Sequence, residues 1–352
     1  MSISADERRT RILEAVQELG SVRLTDLAER LGLPAVTVRR DVAALADSGL
    51  VRRSHGSVSA ATGAGAVATG HGPSLGLLVP AVGQYFDEII AGARAAAGRA
   101  GAQLVLGISS YQAGADRSQA EQLLKSGAQG LLLAPNWTPD DRPSDQAWAE
   151  ELPVPAVLVE RRPVPGSPAE TLDSVASDHR HGVLLALRHL AGLGHRRIAL
   201  VARRDTWTAH EVRRGYAEGC EVLGLPVEPP VDIVTPVADL PAVADRLAEG
   251  CARGVRAAVV HNDQDAIQLL PLLRARGLRV PEDLAVISYD DLFAGLGAPP
   301  LTAVAPPKQA VGAEAVGLLL RRLGSVAEAG PVHHVRLLPV LTIRESCGAV
   351  SD

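Results

Sequence analysis

The chain has 352 residues, 47% apolar and 21% charged, a length and composition that suit two or three compact domains and exclude a disordered chain. A net charge of −5 excludes a surface that coats nucleic acid or membrane as a whole. Cys220, Cys251 and Cys347 lie far apart without metal-ligand spacing, against both a disulfide framework and a bound metal, and no cofactor is expected.

Met1–Arg11 is charged and lacks an apolar core, and no later run approaches the roughly 18 apolar residues of a membrane span. The chain is therefore expected in the cytoplasm. In Arg8–Leu19, Ile12, Leu13, Val16 and Leu19 share one helical face. A second helix is predicted from Thr25 as N-cap, with Leu27 and Leu31 inward and Gly32 as its left-handed stop. Pro34 opens a third, with Val38, Val42 and Leu45 inward and Gly49 as its end. Leu50–Arg53 and Ser57–Ala60, joined by His55-Gly56, read as a hairpin. Three short helices and a hairpin make a winged helix-turn-helix.

Residues 1–56 hold nine arginines against eight acidic residues, and four of the nine stand as Arg39-Arg40 and Arg52-Arg53. Turning Val38, Val42 and Leu45 inward sends Thr37, Arg39 and Arg40 outward, where guanidiniums can grip phosphates or read guanine edges. Asp41 can pair with an arginine and hold its orientation. Arg52, Arg53 and His55 place a second basic element on the hairpin, where a wing would follow the backbone or minor groove.

Residues 57–73 are small and uncharged apart from His71, the composition of a flexible linker. From Ser74, strand-like runs alternate with helical stretches. Leu75–Val79, Gln103–Ile108, Gly130–Leu133, Ala156–Val159, Arg197–Val201, Arg256–Val260 and Leu284–Ser288 are the strands; helices are placed from about Asp87 to Arg99 and over 116–126. This rhythm implies parallel sheets covered on both faces, too many strands for one, and hence two Rossmann-like lobes with ligands beyond the carboxyl ends of the strands.

Leu31-Gly-Leu-Pro-Ala-Val-Thr-Val-Arg-Arg-Asp-Val with Arg53-Ser-His-Gly56 resembles the DeoR-type helix-turn-helix over residues 6–57. Pro34 stands where that family carries a capping Ser, and Ser57 replaces its second wing Gly. Beyond Ser74 the chain resembles the effector domain of LacI/GalR regulators, itself similar to periplasmic sugar-binding proteins. The match rests on Tyr85-Phe86-Asp87-Glu88-Ile89-Ile90, His189-Leu-Ala-Gly-Leu-Gly-His-Arg-Arg-Ile198, Arg214-Gly-Tyr216, Asn262-Asp-Gln-Asp265, Val286-Ile-Ser-Tyr-Asp-Asp291 and Pro300-Leu-Thr302.

That resemblance implies an α/β fold with two Rossmann-like lobes behind the winged helix. The expected division is 1–57 for DNA binding, 58–73 as linker and 74–352 as sensor. The sensor's N-lobe takes about 74–176 and 306–330, its C-lobe about 177–305 and 331–352. Sugar recognition needs carboxylates for hydroxyl pairs and ring faces for the sugar. Asp263 stands where the family keeps an effector-binding carboxylate, Glu160 is its counterpart in the other lobe, and Asp290 contributes. Tyr85, Phe86 and Trp207 supply packing faces.

The family's cleft arginine is replaced by Val212, and Pro306-Pro307 stand near its usual Gln, so specificity should differ. The family's hinge helix is absent. The function implied is a regulator, homodimeric or alternatively tetrameric, that binds double-stranded DNA at an inverted repeat. It would be a repressor of carbohydrate-metabolism genes controlled by a small sugar bound between the lobes. Alternatives are a solute-binding or chemoreceptor protein and, more weakly, a sugar-metabolising enzyme. No Gly-x-Ser-x-Gly, Walker or His-Glu-x-x-His motif supports the last.

Overall fold

A computed structural model describes residues 5–19, 21–47, 51–54, 57–60, 72–80, 84–109, 114–138, 141–324 and 330–348. His55, the Gly49 stop and residues 61–71 of the predicted linker lie outside the described residues.

The N-terminal segment folds as α1 (Ala5–Leu19), β1 (Ser21–Arg23), α2 (Leu24–Leu31), α3 (Ala35–Asp47), β2 (Val51–Ser54) and β3 (Ser57–Ala60). Ile12, Leu13, Val16, Leu27, Val38, Val42 and Leu45 are buried, joined by Val51 and Val58 of the hairpin. The predicted inward faces therefore make one small core. Gly32 takes φ +63° and ends α2, its N–H bonding to the Glu29 carbonyl, a left-handed stop that spares a side chain any strain.

Two expectations change. Thr25 is not the N-cap of α2: the helix begins at Leu24, Arg23 precedes it without a side-chain cap, and the Thr25 hydroxyl bonds to Asp26. The hairpin gains a third strand, because β1 pairs antiparallel with β3 and gives the order β1-β3-β2. Three residues at Ser21–Arg23 are too few to carry a strand signal of their own.

The chain divides into two compact units. The first comprises residues 1–136, 143–174 and 309–333, the second 137–142, 175–308 and 334–352. The elements of the remainder are β4 (Ser74–Val79), α4 (Gln84–Arg99), β5 (Gln103–Ile108), α5 (Ala115–Lys125), β6 (Gly130–Leu133), β7 (Ala156–Val159) and β8 (Asp173–Ser177). Then follow α6 (His179–Gly192), β9 (Ile198–Arg203), α7 (Trp207–Leu223), β10 (Val231–Ile233), α8 (Leu240–Ala252), β11 (Ala257–His261) and α9 (Asp263–Ala275). The last are β12 (Ala285–Tyr289), β13 (Thr302–Ala305), α10 (Lys308–Gly324), β14 (His334–Leu337) and β15 (Val340–Thr342).

Two six-stranded sheets result, ordered β14-β8-β7-β6-β4-β5 and β10-β9-β11-β12-β13-β15. Apart from the antiparallel β13–β15 pair, the second is parallel, with β9, β11, β12 and β13 in register. Burial alternates along it. Ala258 and Val260 pack with Val243 and Leu247 of α8 and Leu269 of α9, whereas Ala257 and Val259 pack with Val183, Leu187 and Tyr216. Both faces are thus dry, as parallel strands require. In the first unit α4 and α10 approach so closely that a Cβ at Gly92 would strike the Gln309 carbonyl and one at Gly312 the Ile89 carbonyl.

Candidate functional site

Three groups of side chains stand out, and each is positioned by its own element. On α3, the inward face holds Val38, Val42, Leu45 and also Asp41, which is only 1% exposed. Asp41 accepts from the Nε of Arg8 on α1 at 2.9 Å, with the Arg9 Nε at 3.8 Å. Its arginines thus belong to α1 and not to its own helix. Arg39 and Arg40 remain exposed on the outer face, and Thr37 is half-buried beside them. The helix starts with the Val38 N–H bonding to the Pro34 carbonyl at 3.1 Å, and residue 34 has no side-chain acceptor to add.

Arg52 and Arg53 lie on β2, opposite Ser59 and Val58 of β3. An exposed guanidinium pair on a helix braced by a buried ion pair can hold phosphate oxygens and guanine edges in fixed register.

The second group lies at the carboxyl ends of the strands of the first unit. Glu160 follows β7, is 1% exposed and takes φ +51°, an uncommon conformation for a side-chain-bearing residue. Tyr85 and Phe86 occupy the first turn of α4, which begins three residues earlier than the sequence suggested. The Tyr85 hydroxyl donates to Glu160 Oε1 at 3.1 Å, and the two rings meet edge to face with centroids 5.6 Å apart.

Three further residues escaped sequence reasoning. Arg161 is buried, donates to the Pro135 and Glu160 carbonyls, and lies 6.0 Å from the Phe86 ring centroid. Asp116 bonds the main-chain N–H and side-chain amide of Asn136. Burial pushes the Asp116 carboxyl above its usual range.

The third group lies at the strand ends of the second unit. Asp263 opens α9, next to Asn262, whose side chain caps the helix through the Asp265 N–H at 3.1 Å. Asp263 Oδ2 accepts the backbone N–H groups of Leu292, Phe293 and Ala294 at 2.6, 2.6 and 3.2 Å. Burial raises its pKa while these N–H groups lower it. One oxygen of this carboxylate is therefore committed to holding the 292–294 turn.

Asp290 follows β12 at φ +89°, is buried, and its carbonyl accepts Lys308 Nζ at 2.6 Å. Trp207 is buried at the start of α7, just past β9. Val212 lies in the core, and its neighbour Arg213 is tied to the Ala202 and Arg203 carbonyls and to Asp232.

The same rim holds two residues the sequence reading passed over. His261, the last residue of β11, is buried against the Tyr289 ring at 5.7 Å, and burial drives its pKa down to about 3, so the imidazole is neutral. Asp265 is 3% exposed, its Oδ2 has no hydrogen-bond partner, and burial pushes its pKa up to about 6. Both stand within four residues of Asp263, at the strand end that the α/β rule already marked.

Among the described residues, no cluster of three or more His, Cys, Asp or Glu could hold a metal ion, and no helix is long and apolar enough to cross a membrane.

Comparison with known proteins adds family to geometry. Residues 8–63 match the model of the DeoR-like helix-turn-helix domain, and residues 187–347 that of the periplasmic binding protein-like domain. The arabinose metabolism transcriptional repressor of Geobacillus stearothermophilus is 25% identical over 284 residues, covering 78% of this chain and 76% of the relative. A LacI family transcriptional regulator from Mycobacterium smegmatis superposes with TM-score 0.63 at 29% identity, over 77% of this chain and 98% of that one. The transcriptional regulator CelR in complex with cellobiose gives TM-score 0.65 at 25% identity, over 92% of this chain and 99% of the other.

Proposed function

We propose that the chain is a hybrid transcriptional regulator, a DeoR-like helix-turn-helix domain joined to a LacI-type, periplasmic-binding-protein-like sensor, and that it represses carbohydrate-metabolism genes under control of a small sugar. The observation that carries the proposal is the exposed Arg39-Arg40 pair on α3, in one chain with strand ends lined by buried carboxylates. The DNA-binding domain, expected over 1–57, runs on through β3 to Ala60, so the linker follows β3 and does not begin at 58; the sensor takes 74–352. The protein works in the cytoplasm, where its operator is, and regulates rather than catalyses.

Thr37, Arg39 and Arg40 face the major groove, while Arg52, Arg53 and His55 follow the adjacent backbone. Two copies, joined through their sensors, present two winged helices to an inverted repeat. Glu160, Asp263 and Asp290 accept hydroxyl donors of the sugar, and Tyr85, Phe86 and Trp207 offer apolar ring surface. The relatives are consistent with this chemistry, one being named for arabinose metabolism and another holding cellobiose.

The positive φ of both Glu160 and Asp290 supports the assignment, because strain at non-glycine residues gathers where a side chain must be aimed. The test pairs gel-shift titration on DNA from the gene's own upstream region with thermal shift against a carbohydrate panel. Binding that weakens steeply with salt and falls by about 1–3 kcal/mol in Arg39→Ala supports α3 as the reading helix. A sugar at 100 times its Kd adds about 2.7 kcal/mol of stability. Salt-independent binding, or Arg39→Ala and Arg40→Ala variants with wild-type affinity, would sink the assignment.

A further inference from the structure

Val36 lies in the first turn of α3 and is 79% exposed, more than any other large apolar side chain among the described residues. A lone apolar side chain on a surface is ordinary. This one is placed otherwise. It precedes Arg39 by three residues and Arg40 by four, so all three share the outer face of one helix, opposite buried Val38, Asp41, Val42 and Leu45. Valine is also a weaker helix former than alanine, so local stability does not favour it at an exposed helical position.

Resting on the DNA-binding reading above, we propose that Val36 is a base-reading residue whose methyls pack on the C5-methyl of a thymine next to the guanine held by Arg39 or Arg40. Three observations point to that occupant. The flanking guanidiniums draw the helix onto an anionic partner. The amino-terminal turn of a recognition helix is the part that reaches base edges. In the major groove, thymine is the base that offers an apolar group at its edge. Thr37 is half-buried, which leaves Val36 as the large exposed apolar side chain of that turn.

The full-length chain is used to select binding sites from a random-sequence duplex library. Each thymine of the enriched half-site is then replaced by deoxyuridine, which removes only the methyl. Wild type and Val36→Ala are titrated against both duplexes; Val36 is exposed, so the variant retains its fold.

The expected result is one thymine per half-site at which loss of the methyl weakens wild type about fourfold, the effect of burying one methyl. Val36→Ala should be weaker on the thymine duplex and indifferent to the replacement. An enriched site whose deoxyuridine versions all bind wild type equally overturns the role of Val36 alone, as does a Val36→Ala variant with undiminished methyl sensitivity. Failure of the wild-type chain to enrich any sequence overturns the DNA-binding reading and this inference with it.

Discussion

The winged helix and the sensor lobes place their functional side chains in opposite ways. On α3 the inward face is apolar apart from the ion-paired Asp41, and Arg39 and Arg40 stand in water, where charge needs no partner within the protein. At the strand ends of the lobes, Glu160, Asp263, Asp265 and Asp290 are buried, and each must be satisfied within the protein or by what binds there. An exposed group can be removed without harm to the fold. A buried one is fold and site together, so mutation reports both.

The largest effect is expected at Asp263. Alanine leaves three backbone N–H groups of the 292–294 turn without their acceptor, and stability should fall by about 3–5 kcal/mol in denaturant titration followed by fluorescence of Trp207 in the same unit. A loss below about 1 kcal/mol would show that the turn does not depend on this carboxylate.

Asp265 sharpens the contrast through pH. Its pKa rises from 3.8 to about 6 on folding, so the folded chain holds a proton that the unfolded chain has released between those values. Stability from this group is therefore present below about pH 4 and lost as pH rises through about 6. His261 works in the opposite sense, falling from 6.5 to about 3, so its contribution is present above about 6.5 and lost on acidification. Between about pH 4 and 6 the two slopes oppose each other. In Asp265→Asn the His261 slope remains alone, and the variant should gain up to about 3 kcal/mol over wild type above pH 6 and nothing below pH 4. Parallel melting curves for the two proteins across that range would refute it.

Arg39→Ala tests the exposed side of the comparison. DNA affinity should drop by about 1–3 kcal/mol while the melting temperature stays at the wild-type value. If the variant melts early, Arg39 belongs to the fold and the contrast fails at its clearest point. The smallest effect concerns Pro34→Ser, which restores a side-chain acceptor at the start of α3 and should stabilise the winged helix by about 0.5–1 kcal/mol in thermal melts.

These differences also explain what the sequence revealed. The outer face of α3 was legible because Val38, Val42 and Leu45 recur at helical spacing and leave Arg39 and Arg40 only one side to occupy. The parallel centre of each sheet was legible because strands buried on both faces, such as β6, β7, β11 and β12, are written as unbroken apolar runs, whereas the half-exposed β14 and β15 carry no such run. Glu160 and Asp290 could be found by following each run to its carboxyl end. The second role of Asp263 could not, since its partners at 292–294 are 29 to 31 positions away and meet it only through the fold. Asp41 does pair with arginine, but which arginines could not be read, because Arg8 and Arg9 are brought to it from α1, more than 30 positions away. His261 and Asp265 went unnoticed because burial, and not residue type, makes them unusual.

On the proposed function, one chain couples an exposed reading helix to a buried sugar site. The most direct test of that coupling is the affinity of the full-length protein for upstream DNA with and without a sugar that raises its melting temperature. A change of about 5–150-fold is expected, matched by an equal change in sugar affinity when DNA is bound, because linkage is reciprocal. A sugar that stabilises the protein and leaves DNA affinity unchanged would contradict it.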